Sequence, residues 1–159
     1  MHGKLILLHN SIRRDMETIA AIYTELARHP LTAETDNDVL IVIAYHLHNL
    51  YNAFENIFQS IAAAFENSID DDGRWHMQLL EHMRLDAQPL RPAVIDDDAY
   101  IALDELRRFR HLFRHAYMVN LDARRLQLVW DQAFNLQKIY TEQITRFVDF
   151  VQMLLEAEV

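Results

Sequence analysis

The sequence predicts an all-α protein, an antiparallel bundle of about five helices. Three observations carry this. Glycine (2) and proline (3) are scarce among the 159 residues, leaving few of the breaks that turn-rich β structure needs. Apolar residues make up 51% of the chain, enough at this length for one domain over residues 1–159 with a continuous core. Those apolar residues also recur every three or four positions, the period of an amphipathic helix.

Taken in order, a first helix is expected over 4–28, with Leu5, Leu8, Ile12, Met16, Ile19, Ile22, Tyr23 and Leu26 on its apolar face and Pro30 ending it. The run Thr35-Asp36-Asn37-Asp38 reads as a capping signal for a long second helix, 38–67. That helix turns Ile43, Leu47, Leu50, Tyr51, Phe54, Ile57, Phe58 and Ile61 inward, and beside them runs a polar line of His48, Asn49, Asn52, Glu55, Asn56 and Gln59. Asp70-Asp71-Asp72-Gly73 is a turn. A short third helix follows over 74–85, with Trp75, Leu79, Leu80 and Met83 inward, and the stretch 86–97, with Pro89 and Pro92, reads as an extended connection. The fourth helix starts near Asp97 or Asp98 and carries Ile101, Leu103, Leu106, Phe109, Leu112 and Phe113 on its apolar face. The pattern breaks at 118–122, where Asn120 suits a turn and Asp122 a cap. One last helix is expected over 123–156, with Leu126, Trp130, Ala133, Phe134, Ile144, Phe147, Val148 and Leu154 inward; it and the second helix form the expected spine.

The chain has no cysteine, which excludes disulfides and thiolate metal sites and fits a reducing cytoplasm. The apolar run near the N-terminus, Leu5-Ile6-Leu7-Leu8, is too short for a signal peptide core or a bilayer span, so a cytoplasmic protein without membrane attachment is expected. A formal net charge of -9 argues against general polyanion binding. The basic residues are nevertheless concentrated. Arg107, Arg108, Arg110, Arg114, Arg124 and Arg125 fall between 107 and 125, a stretch in which Asp122 is the sole acid. Such a cluster reads either as a specific phosphate site, for which guanidinium is well shaped, or as a solvated helix face balanced by carboxylates elsewhere.

Within that cluster, Arg110, His115 and Tyr117 form an R-x4-H-x-Y pattern. On a helix, Arg110, Arg114 and Tyr117 share one face, and His111 and His115 the neighbouring one. Arg110 and His115 are five apart and diverge by about 140°. They converge on one phosphate if the helix ends between them, or if two copies of the motif meet across a dimer. Metal-free RNA cleavage suits this set. An imidazole removes the 2'-OH proton or supplies one, and a guanidinium stabilises the phosphorane charge. His115 is then base or acid, Arg110 the phosphate clamp, and Tyr117 a hydrogen bonder to the phosphate or to His115. Neighbouring aromatics are candidates for stacking bases, although Tyr51, Phe54 and Phe58 fit a core or dimer interface better. Arg124 and Arg125 extend an RNA track or simply begin a solvated helix.

The segment Arg110-His-Leu-Phe-Arg-His115-Ala-Tyr117, late in a small helical protein, resembles the HEPN superfamily and, more narrowly, the HepT-like ribonuclease toxins of prokaryotic toxin–antitoxin pairs. Tyr51-Asn52-Ala53-Phe54-Glu55-Asn56-Ile57-Phe58 is similar to the family's polar and aromatic second helix, with lower specificity. The resemblance implies a metal-independent endoribonuclease with Arg110 and His115 as its catalytic pair. His111 stands at a supporting polar position where asparagine is commoner. It further implies a homodimer whose motifs line one cleft, and a minimal nucleotidyltransferase antitoxin of the MntA kind that transfers AMP to Tyr117. Such a modification puts negative charge where an RNA phosphate must sit. No cofactor is implied.

Other readings of the same residues stand beside this one. His111 and His115 have the spacing of two metal ligands, but the chain lacks the Glu-x-x-His pairs of a carboxylate-bridged bundle site, so no metal is expected. His46 and His48 point to different faces. His76 and His82 read as solvated or capping. Asn52 and Glu55 are surface residues, RNA contacts, or groups that position His115 or pair with an arginine. The alternative function is a non-catalytic HEPN module that binds a nucleotidyltransferase and its substrate.

Overall fold

The computed structural model describes residues 1–66, 74–115 and 121–158, the side chain of His115 excepted. The expected turn at 70–73, Asn67, Tyr117 and the break expected from Met118 to Asn120 lie outside the described residues. Among the described residues the chain forms six helices: α1 (His2–Ala27), α2 (Asn37–Phe65), α3 (Trp75–Arg84), α4 (Asp97–His115), α5 (Ala123–Gln137) and α6 (Tyr140–Ala157).

The apolar stripes fold as their periods predict. On α1, Leu5, Leu8, Ile12, Ile19, Tyr23 and Leu26 are buried, and on α2 all eight predicted positions are. Tyr51, Phe54 and Phe58 belong to the core, which fixes them as packing residues. Two expected core positions of α4, Ile101 and Leu112, are exposed instead; Ala99 and Ala102 take the inner face with Leu103, Leu106 and Phe109. Small alanines let α4 lie close to its neighbours and shift the buried stripe around the helix.

Caps are of two kinds. Asp96 Oδ1 accepts from Ala99 N–H (2.9 Å) at the start of α4, and Asp122 Oδ1 accepts from Arg124 N–H (2.9 Å) at the start of α5. The α2 start lies at Asp36, but no side chain caps it; Thr35 Oγ1 accepts from Thr32 N–H (2.8 Å) instead, which closes the preceding loop.

α2 is the spine, touching α1, α3, α4 and α5. α1 runs antiparallel to it: Lys4, Leu7, Leu8 and Ser11 lie beside Ser60, Ala63 and Ala64, and the His29 ring stacks on His46 at the other end. The expected single helix over 123–156 is two. Lys138 N–H and Ile139 N–H bond to Asn135 and Leu136 carbonyls, three residues back, and this tightened turn separates α5 from α6. No glycine or proline marks it. Tertiary contacts hold the turn: Tyr140 stacks on Tyr23 (5.6 Å) and meets Phe54 edge-on (5.2 Å), while Tyr23 donates to the Ala133 carbonyl (2.7 Å).

The connection over 85–96 is compact, not extended. It contains a turn closed by an Ala87–Arg91 bridge and a cis Gln88–Pro89 bond, and Val94 N–H returns to the Met83 carbonyl (2.9 Å). Arg91, 1% exposed, lies beneath it. Its guanidinium binds Glu66 from α2's end and donates to the carbonyls of His82 (2.9 Å), Leu85 (3.2 Å) and Pro92 (3.2 Å). A buried cation thus gathers carbonyls from the end of α3 and from the connection that follows it. Replacing it by alanine strips those acceptors and leaves Glu66 to the exposed His82, so Arg91→Ala is expected to destabilise the protein by about 3–5 kcal/mol. Urea unfolding checks this; a loss below about 1 kcal/mol contradicts the assignment.

Candidate functional site

The polar line of α2 is the wall of a cavity. His48, Asn52, Glu55, Asn56 and Gln59 line it from α2, Trp75 and His76 from α3, and Arg110 and Arg114 from α4, around about 640 Å³. On α2 these positions follow a helical repeat (48, 52, 55, 56, 59), so one face of the helix is polar because it borders this cavity and not the core. Arg110 and Arg114, one turn apart, project from α4 to the same place.

Arg110 is fixed: its Nε donates to Asn52 Oδ1 across the α2–α4 contact. With Nε committed, the terminal nitrogens of the guanidinium remain for a ligand, and a positioned guanidinium loses less entropy on binding an anion. No carboxylate pairs with Arg110 or Arg114 among the described residues. Arg107 and Arg108 differ. Arg107 meets Asp104 at 2.8 Å, and Arg108 meets Asp104 at 2.9 Å and Glu105 at 3.2 Å. These two match the reading of a balanced helix face, the carboxylates lying one turn back on the same helix.

His48 sits at the foot of the cavity against Phe113 (5.5 Å). Its Nδ1 contacts Asn49 Oδ1 (3.3 Å) and Asn52 Nδ2 (3.4 Å), and its Nε2 is buried without a partner. Burial holds this imidazole below the usual histidine range, opposed by its bond to Asn49 and reinforced by the charges of Arg110 and Arg114. Beside Arg110 the ring therefore favours its neutral form.

Glu55 is 4% exposed, and its Oε2 meets Nδ1 of His76 at 2.8 Å. Among the described residues Glu55 thus pairs with an imidazole from α3 and with no arginine. The pair also corrects the reading of His76 as a solvated or capping residue. The sequence held no local sign of the pair, because its members are 21 residues apart on different helices. His82 is exposed, 3.3 Å from Glu66.

The structure thus gathers Arg110, Arg114, Asn52 and Glu55 into one place. His111 is exposed on α4. Arg124 and Arg125 are exposed at the start of α5, and Arg125 lines a different hollow with Arg108, Leu112 and Leu128. Arg125 therefore lies on a surface other than the cavity wall. α4 continues unbroken to His115, so the helix end that would turn Arg110 and His115 toward each other does not fall between them. Of the two ways of bringing the pair to one phosphate, this removes the first and leaves the meeting of two copies of the motif.

Away from the cavity, Glu25, His29 and His46 place one metal-ligating atom each within 4.8 Å of one another. Glu25 also pairs with Arg28 at 3.0 Å, which competes for its carboxylate. No helix among the described residues is long and apolar enough to cross a membrane.

The depressed His48 has a consequence for stability. Its folded pKa lies below its unfolded one, so the unfolded chain binds the extra proton first; the contribution is complete above about pH 6.5 and is lost as pH falls below it. His48→Gln is expected to remove part of the acid-side fall in stability. Urea midpoints at pH 8 and pH 5 for both proteins test this, and equal falls contradict it.

No curated protein and no solved structure matches the chain. A protein-family model described as HepT-like protein matches residues 42–151, from the first turns of α2 into α6 and across every element of the cavity. That match covers more than half of the chain, and with an all-helical fold among the described residues it makes this protein a member of the HepT-like family of the HEPN superfamily.

Proposed function

We propose that the chain is the toxin of a toxin–antitoxin pair, a metal-independent endoribonuclease. The observation that carries this is Arg110, held by Asn52 and joined by Arg114 on the wall of one large polar cavity. Two guanidiniums without carboxylate partners among the described residues suit a phosphodiester, in an acidic protein that otherwise repels RNA. Arg110 stabilises the charge that grows on the phosphorane, and His115 exchanges the proton of the attacking 2'-OH. The new bond joins the 2'-oxygen to phosphorus, the 5'-oxygen leaves, and the product ends in a 2',3'-cyclic phosphate.

α4 runs through both motif residues, and this supports an active cleft assembled from two chains, the Arg110 of one facing the His115 of the other. A homodimer follows from that reading. The partner is a nucleotidyltransferase antitoxin of the MntA kind, and the group it modifies is Tyr117. An adenylyl phosphate there adds negative charge and competes with the substrate.

The test is cleavage of total tRNA and of mRNA in excess EDTA by protein made without a nucleotidyltransferase. Wild type is expected to cut, and Arg110→Ala and His115→Ala to lose at least about 10²-fold. Folded, unmodified wild type that cuts neither RNA rejects the ribonuclease reading and leaves a module that binds a nucleotidyltransferase.

A further inference from the structure

The pair formed by His76 and Glu55 has no part in an Arg–His motif, yet it stands on the same cavity wall as Arg110 and Arg114. Glu55 is almost wholly buried, and His76 is partly open, its side chain 28% exposed. Nδ1 of His76 lies 2.8 Å from Glu55 Oε2. A carboxylate that accepts from Nδ1 fixes both the tautomer and the plane of the ring, and leaves Nε2 as the nitrogen for a substrate. A buried carboxylate without a partner is costly; this one is satisfied by the one histidine that α3 brings to the cavity.

Transesterification of RNA moves two protons. One leaves the 2'-OH as the 2'-oxygen attacks phosphorus, and one must reach the 5'-oxygen as its bond to phosphorus breaks. His115 serves one transfer, and His76 stands on the same wall as Arg110 for the other. We propose that His76 is the second proton-transfer residue, the general acid that protonates the departing 5'-oxygen, and that Glu55 is its positioning residue. The ion pair with Glu55 exists when the ring is protonated, and that is the form able to give up a proton. His115 accepts the 2'-OH proton, Arg110 holds the phosphate between the two transfers, and no further reactant enters. The proposal rests on the ribonuclease reading above.

The decisive experiment changes the leaving group. An RNA oligonucleotide is made with sulfur in place of the bridging 5'-oxygen at the bond that wild type cuts, and its cleavage is compared with that of the ordinary oligonucleotide. A thiolate leaves without protonation, so loss of a general acid ceases to matter. His76→Gln is the chosen variant, because it keeps a polar, hydrogen-bonding side chain beside the buried carboxylate but carries no transferable proton. His76→Gln is expected to lose about 10²–10⁴-fold on ordinary RNA and less than about tenfold on the sulfur substrate. Glu55→Gln follows the same pattern with a smaller loss, which a merely structural role would not produce. Undiminished cleavage of ordinary RNA by His76→Gln overturns the proposal, as does an equal loss on both substrates. Urea unfolding of each variant guards against a folding defect, and Glu55→Gln with wild-type stability keeps the test decisive if His76→Gln fails to fold. A wild type that cuts neither substrate rejects the ribonuclease reading itself and the proposal with it, an outcome distinct from the other two.

Discussion

The buried guanidinium of Arg91 is the contact on which the cavity depends. α3 is only ten residues long, too short to be stable on its own propensity. Its buried contribution is small: Leu79, Leu80 and Met83. Arg91 ties the carbonyls at its C-terminus to Glu66 at the end of α2. That clamp sets where α3 lies along α2, and therefore which α2 residue His76 meets. A displacement of one turn along α2, about 5.4 Å, would break the 2.8 Å contact with Glu55 and open one side of the cavity.

The second constraint is the polarity of α2. Apolar residues on the rest of its circumference commit the helix to the core, while His48, Asn52, Glu55, Asn56 and Gln59 cannot enter a dry interior without partners. Three of the five have partners from the cavity's own set or from α2: Asn52 takes Arg110, Glu55 takes His76, and His48 leans on Asn49. The polar stripe, buried at Glu55 and more open at its other positions, thus orients the cationic face of α4 and the imidazole of α3 toward one space. Coupling of this kind makes the wall respond as a unit when one of its members changes.

Much of this was legible in the chain itself. Apolar period, capping residues and prolines located the first four helices to within a few residues, since those signals are local. The polar line on α2 and the Arg110/Arg114 face were legible for the same reason: a helix converts spacing into direction. What escaped was set by contacts distant in sequence. The turn at Lys138–Ile139 has no breaker residue and exists because Tyr140 packs on Tyr23 and Phe54. Arg91 reads as an ordinary loop residue until Glu66 is brought to it. His76 reads as solvated until α3 is laid across Glu55.

Charge balance decides which arginines of the cluster matter for an anion. A count along the sequence treats Arg107, Arg108, Arg110 and Arg114 alike, but Asp104 and Glu105 stand three or four residues before the first two and meet them. Pairs at that spacing are worth little to stability, yet they cancel the local field and leave those side chains poorly disposed toward phosphate. Arg110 and Arg114 come one and two turns later, beyond the reach of either carboxylate, and one of them is braced by an amide that holds it without neutralising it. In a chain of net charge -9, this confines favourable potential for RNA to a small region. An acidic body that repels polyanions everywhere else adds selectivity for a phosphate presented at that one place.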